Sequence, residues 1–394
     1  MNKHKLDRIG KNLEEMTSGG VVAGASMLVW QDGCEQGYYQ AGMADMEKQV
    51  RIGRDTIFRM YSMTKPITST AVMMLAERGK IDFMQPVSDF LEGFRDQKYC
   101  DGEELRPVTR PMRIKDLLDM TSGLSYGGMD DAGMRATTEL LMQADRREKE
   151  GSPMTTVEFA NLLGQCPLSF DPGASFRYGL SADVLGAVVE IVSGMRYGDF
   201  LREKIFDPLE MDDSDFYVPE KKQHRLAQTY QYGKDGGLQL YAGNNLDVQN
   251  RMKVRPSIEF GGAGLVSTID DYMRFCRMLL AGGEWKGRHI ISPTTVHRMS
   301  TGHLTPAQQA VFDRDLSHLA GYSYGNLMRT MHDPASSLAL SSEGEFGWDG
   351  WLGTFMMVDP ANDLTTVYMQ QIVDAGMTTY TRRLKNIIYA ALTD

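Results

Sequence analysis

The chain has 394 residues, more than one hydrophobic core usually serves, so two domains or one two-lobed unit is expected. With 42% hydrophobic and 24% charged residues and no long biased tract, it falls outside the disordered and fibrous classes. A formal net charge of −10 argues against a nucleic-acid partner, which needs a clustered basic face.

At the N-terminus, "MNKHKLDRIGKNLEEM" sets Leu6, Ile9, Leu13 and Met16 at helical spacing with no apolar stretch after its lysines. This predicts a docking helix and not a secretion signal. Runs such as "VLGAVVEIV" fall short of the roughly 20 residues that span a bilayer, so no membrane partner and a cytoplasmic protein are expected. "GASMLVWQDGCEQGYYQAGMAD" alternates apolar or aromatic runs with Asp-Gly, the signature of a hairpin. A helix follows, with Ile67, Ala71, Met74 and Leu75 as its buried stripe and Gly79 as its stop; Pro66 is tolerated only in a first turn, so it begins close to Ser62.

From Ile81 to Val254 the pattern reads as mostly helical, with "SADVLGAVVEIVSG" a core helix ending at Gly194. "GGAGLVSTIDDYMRFCRMLLAGG" holds a further capped helix, "GWDGWLGTFMMVDP" and "LTTVYMQQIV" read as strands around the turn "ANDL", and "TRRLKNIIYAAL" closes as a helix. Gly261, Gly262 and Gly264 do not form G-x-G-x-x-G after a strand and read as a backbone turn. Strands at both ends with helices between them predict an α/β fold of the α+β type. Its sheet-plus-helix domain comes from 1–80 and 255–394, and a mainly helical domain from 81–254.

Cys34, Cys100, Cys166 and Cys276 lie far apart and read as buried free thiols, while the histidines show no ligand spacing, so no metal site is expected. His224, His297 and His318 read as surface or cap residues.

Ser62 and Lys65 stand three residues apart, on one helical face, within reach of each other. A serine hydroxyl is a weak nucleophile until a positioned base takes its proton. A lysine amine, which titrates near about 10.4 when free, can be that base only if desolvated or set beside another cation. S-x-x-K is short, and its weight depends on the rest of the chain.

That rest includes "LLDMTSGLSYG", "FDPGASFRYG" ahead of a core helix, "IFDPLEMDDSDFYVP", "GGAGLVSTIDDYMRF" and "FGWDGWLGT", in that order. With them the chain resembles the serine β-lactamase-like hydrolases, above all the class C branch and its carboxylesterase relatives, from about Gly24 to Gln371. The resemblance implies a central, mostly antiparallel sheet flanked by the terminal helices, with an inserted mainly helical domain and the active site between the two. It implies Ser62 as nucleophile, Lys65 as its proton partner and Tyr178 as second general base or acid. Either Lys65 takes the proton as a neutral amine, or it stays charged and draws the Tyr178 phenol toward phenolate. The oxyanion hole would join the backbone N–H groups of Ser62 and Trp351, the first aided by the helix start. Trp348, Asp349, Gly350, Leu180 and Tyr126 would contact substrate, and Trp348, Trp351, Phe355 and Tyr126 would form an aromatic rim. No cofactor is implied.

Two positions depart from the β-lactamase pattern. Leu180 stands where an amide-holding asparagine is usual, and Trp348 replaces the cation that opens the third motif and attracts a carboxylate. Asp349, if it faces the site, repels carboxylates. The reading is therefore a carboxylesterase with a small-molecule ester or amide substrate, an acyl-enzyme on Ser62 and a preference for small neutral esters. Competing readings are a β-lactamase or D-Ala-D-Ala peptidase, an acyltransferase or amidase using the same residues, and a binding protein of the family, which would have no need of Ser62, Lys65 and Tyr178 together. Nothing in the sequence specifies an oligomeric state.

Overall fold

The computed structural model describes residues 1–246 and 248–392. Strands β1 (Gly24–Gln31), β2 (Cys34–Asp45) and β3 (Val50–Arg51) come from the N-terminal part. The C-terminal part supplies β4 (Tyr322–Gly325), β5 (Met328–Met331), β6 (Phe346–Asp349), β7 (Phe355–Asp359) and β8 (Leu364–Met369). They form one antiparallel sheet in the order β4-β5-β6-β7-β8-β1-β2-β3. The two parts meet where β1 pairs with β8, from Ser26 opposite Met369 to Gln31 opposite Leu364. The β1–β2 turn is made by Asp32 and Gly33 at φ 51° and 74°, the doubly positive geometry that Asp-Gly favours in tight hairpins.

Side chains alternate across a strand, so the neighbours Tyr38 and Tyr39 mark the two faces. The Tyr39 hydroxyl donates to Asp7 (2.9 Å), just before helix α1 (Arg8–Ser18). Tyr38 lies under the Arg54 guanidinium (4.3 Å), which pairs with Asp270 (2.8 Å) on the opposite face. Helix α1 buries Ile9, Leu13 and Met16, and the separate turn Lys3–Leu6 before it buries Leu6, so the expected single helix is broken at Asp7 while its apolar face is kept.

Helix α2 (Thr64–Glu77) begins just past Ser62. The single apolar stripe expected for it is too narrow, because every residue from Thr64 to Leu75 is buried. Two of its buried hydroxyls turn back on the helix, Thr70 to the Pro66 carbonyl (2.9 Å) and Thr68 to that of Thr64 (3.2 Å). Helix α3 (Ser181–Ser193) packs against α2 and stops at Gly194 in the left-handed region (φ 68°). Helix α4 (Ile269–Leu280) starts at Thr268, whose hydroxyl accepts from the Asp271 N–H (3.2 Å), and covers β8, β7 and β1.

The region 81–254 is less helical than its pattern suggests. It carries a hairpin over 98–107 and another over 230–240, and among the described residues no α-helix between 207 and 254. That last stretch is broken by Pro, Gly, Asp and Asn and lacks a run of apolar residues at helical spacing. The cysteines are all unpaired, but only Cys276 is buried, and Cys34 is exposed. No helix among the described residues is long and apolar enough to cross a membrane.

Candidate active site

Ser62 sits in a turn of 3-10 helix (Tyr61–Met63) between a short strand, Phe58–Arg59, and α2. Tyr61 before it takes φ 43°, a left-handed conformation that costs a non-glycine residue roughly 1–3 kcal/mol. Its neighbours fix the turn: Met60 N–H donates to the Leu265 carbonyl (2.8 Å), and the Tyr272 hydroxyl donates to the Met63 carbonyl (2.6 Å). The end of β6 closes onto the same turn. A Cβ at Gly350 would lie 2.4 Å from the Met60 carbonyl oxygen, so only glycine permits this approach. Trp351 follows, its ring 4.9 Å from that of Tyr61 and its indole N–H donating to Asp374 (2.5 Å). The Trp351 backbone N–H has no backbone partner among the described residues.

Because α2 is enclosed, Lys65 is too. Its Nζ meets three acceptors: Ser62 Oγ at 3.1 Å, the Tyr126 hydroxyl at 2.8 Å and the Gly262 carbonyl at 2.7 Å. Burial draws its pKa down to about 7, against the opposing pull of Asp183 and Asp349. Asp183, in the first turn of α3, is equally enclosed. Its Oδ1 accepts the Gly262 N–H (2.8 Å), and its Oδ2 has no partner among the described residues. Burial raises its pKa to about 6, with Lys65 opposing. Gly262 therefore gives its N–H to the carboxylate and its C=O to the amine.

Tyr178 enters from the loop before α3. Its hydroxyl accepts from the Trp348 indole N–H (2.8 Å), and its ring lies 4.7 Å from Lys65 Nζ and 5.5 Å from the Tyr126 ring. Desolvation pushes the Tyr178 phenol well above its ordinary range, with Ser62 and Trp348 offsetting part of the rise. The Tyr126 phenol is pushed up for the same reason.

A cavity of about 570 Å³ opens onto these groups. Tyr61, Tyr126, Tyr178, Trp348 and Trp351 give it aromatic walls, with Leu246, Leu316 and Leu319 beside them. Asn245, His318, Asp349 and Asp374 add polar surface. Asp349 does face this space. Behind it the buried Arg329 donates to its Oδ1 (3.1 Å) and to the Met356 carbonyl (3.1 Å), so the carboxylate carries its countercharge at its back.

Ser62, Lys65 and Tyr178 thus lie together, and Trp348, Asp349 and Trp351 border the same cavity. Tyr126, expected at the rim, bonds Lys65 directly. Leu180 does not line the cavity, because it caps α3 from inside the core. Gly350 is buried below the surface it shapes. Phe355 is no rim residue either: it lies in the core, 4.8 Å from the Arg329 guanidinium. His318, read as a surface residue, lines the cavity and is half-buried, which lowers its pKa. Asp183, the Gly262 carbonyl, Arg329 and Asp374 escaped the sequence reading. Only Asp183 carries a signal there, as the one acid in the apolar segment "SADVLGAVV".

A family model described as Beta-lactamase matches residues 9–387. Protein Rv1367c of Mycobacterium tuberculosis is 31% identical over 375 residues, which cover 93% of this chain and 90% of that protein. Esterase EstB of Burkholderia gladioli is 28% identical, over 89% of this chain and 86% of its own. The solved structure of "EstCE1, a hydrolase with promiscuous acyltransferase activity" has the same fold, with a TM-score of 0.80 at 23% identity over 98% of this chain and 99% of the other.

Proposed function

The chain belongs to the β-lactamase family of serine hydrolases, and on that footing we propose that it is a carboxylesterase that cleaves small esters lacking a carboxylate through an acyl-enzyme on Ser62. The observation that carries this reading is the enclosed Lys65 amine, 3.1 Å from Ser62 Oγ at the floor of an aromatic cavity. Burial moves Lys65 and Tyr178 in opposite directions, the amine toward its neutral form and the phenol away from phenolate. Lys65 is then the base of acylation: it takes the Ser62 proton as Oγ attacks the ester carbonyl. The Ser62 and Trp351 N–H groups receive the oxyanion. As the intermediate collapses, the Tyr178 phenol protonates the leaving alkoxide, and the Lys65 ammonium returns a proton to Tyr178. Water then attacks the acyl-serine, its proton passes to the same pair, and Ser62 and the acid are released.

Asp349 and the tryptophan before it support the ester over the lactam reading, since a penicillin carboxylate would meet a carboxylate and no accessible cation. The EstB name supports the same choice. An alcohol in place of water would turn the second step into acyl transfer, a reading favoured by the description of EstCE1. Action in the cytoplasm belongs to this proposal, in keeping with four unbridged cysteines.

A panel of esters, anilides and lactams on the purified protein tests it, with Ser62→Ala as control. Ester turnover and fluorophosphonate labelling are expected in the wild type and neither in the variant, while the fold persists, because the Ser62 hydroxyl caps no helix. Labelling that persists in Ser62→Ala would move the nucleophile elsewhere.

A further inference from the structure

One end of the aromatic cavity carries charge. Asp349 and Asp374 both line it. The segment carrying Asp374 is tied to the third motif by two backbone bonds, Ile372 N–H to the Leu352 carbonyl and Ala375 N–H to the Trp351 carbonyl, both 3.0 Å. Gly376, two residues on, lies against Asp349, with a Cβ built there 3.4 Å from Oδ2. The two carboxylates therefore bound the same end. Aromatic rings line the same cavity: Trp348 and Trp351, with Tyr61 edge-on to Trp351.

The cations near this end are withdrawn from it. Lys65 and Arg329 are fully buried behind the wall. The Arg382 guanidinium is engaged with the Met377 carbonyl (3.3 Å) and the Thr379 hydroxyl (3.1 Å). Burial lowers the pKa of His318, with Asp349 opposing, which favours the neutral ring. Aromatic faces attract a cation, most strongly one that sheds water easily, and a carboxylate at the edge adds a charge of the right sign.

From this we infer that the substrate carries an ammonium group, quaternary or a protonated amine, beyond its reacting carbonyl, held among Trp348, Trp351, Asp349 and Asp374. The inference rests on the ester-cleaving reading and narrows its substrate class. Asp374 is the specificity-determining residue open to change. Asp349 balances a buried arginine, whereas Asp374 is exposed, and its φ of 56° is one that asparagine tolerates.

The test compares butyrylcholine with its neutral isostere 3,3-dimethylbutyl butyrate in wild type and Asp374→Asn. We expect a kcat/KM about tenfold higher for the cationic ester, arising in KM, weakened by salt, and cut more than twofold in Asp374→Asn, where the amide can still accept the Trp351 N–H. The inference requires a wild-type ratio above three and a reduction of more than twofold in the variant; failure of either overturns it. Ser62-dependent turnover of the neutral ester separately reports the esterase reading. If neither ester is turned over, protection of Ser62 from a fluorophosphonate decides: phenyltrimethylammonium protects at least threefold more strongly than tert-butylbenzene, or the inference falls.

Discussion

Two lysines lie inside this protein, and they are built for different work. Lys65 and Lys385 are 0% and 1% exposed, and burial lowers the pKa of both. Lys385, on the C-terminal helix α5 (Thr379–Ala390), touches a carboxylate: Glu345 at 2.6 Å, with the Tyr322 hydroxyl at 2.6 Å and Ser341 Oγ at 2.8 Å completing its donors. Tyr389, one turn further on the same helix, donates to Glu345 (2.9 Å) and lies within hydrogen-bond distance of Asp359 (2.8 Å). Lys65 has two hydroxyls and a carbonyl, and Asp183, the acid whose charge acts on it most, is joined to it through Gly262 without touching it. A carboxylate in contact fixes the proton on the amine and makes a clamp between helix and sheet. Hydroxyls leave the proton free to move, which a base requires.

Substituting each lysine by methionine is the most direct way to break this contrast. Lys65→Met should lower kcat/KM by roughly 10²–10⁴ while Tm changes by only a few degrees, and Lys65→Arg should not restore activity, because a guanidinium stays protonated. Lys385→Met leaves Glu345 buried without its cation, a loss of about 3–5 kcal/mol of stability, with kcat per folded molecule unchanged. Chemical denaturation and active-site titration read the two effects separately. A Lys385→Met protein that keeps its stability, or a Lys65→Arg protein with full activity, would erase the distinction.

How far the sequence reaches follows the same divide between local and long-range features. Ser62 and Lys65 are legible because their spacing on one helix start is a local fact. Tyr178 and Trp348 are legible only through the resemblance that the ordered segments "FDPGASFRYG" and "FGWDGWLGT" carry. Gly262 acts through its carbonyl, which no side-chain pattern announces. Arg329 reaches Asp349 only because β5 lies beside β6, and Asp374 reaches Trp351 only through the pairing of 372–375 with 351–352. The polar positions of α2 read as a solvent face because periodicity takes no account of hydroxyls that bond back to their own helix.

Tyr178→Phe sharpens the contrast on the lysine's own side of the site. The ring and its packing remain, and one hydroxyl is lost, so the Trp348 N–H loses its acceptor. If the phenol protonates the leaving group, kcat/KM falls by about 10²-fold, at the low end of general acid catalysis, and less for esters of acidic phenols, whose leaving groups need no proton. A change under threefold for an alkyl ester would reduce Tyr178 to a packing residue.

Asp183→Asn carries the smallest and most specific effect, because it changes the field at Lys65 without touching it. An asparagine Oδ1 can accept the Gly262 N–H as the carboxylate does, so the carbonyl that receives Lys65 stays in place. What disappears is a negative charge that raises the lysine's pKa. A base must be neutral to work, so wild-type kcat/KM should rise with pH along a limb near pH 7. Without Asp183 the amine gives up its proton at lower pH, and the limb should move down by about one pH unit, or about 1.4 kcal/mol. Stability follows with the same sign. Between about pH 7 and the ordinary lysine range the unfolded chain holds a proton that folded Lys65 has released, so this group makes the protein more stable as pH rises, and the variant should start that gain earlier. A purely structural Asp183 would change Tm and leave the limb where it is. A limb that moves upward would mean that Lys65 works as a cation, and the proton would then have to leave Ser62 by way of Tyr178.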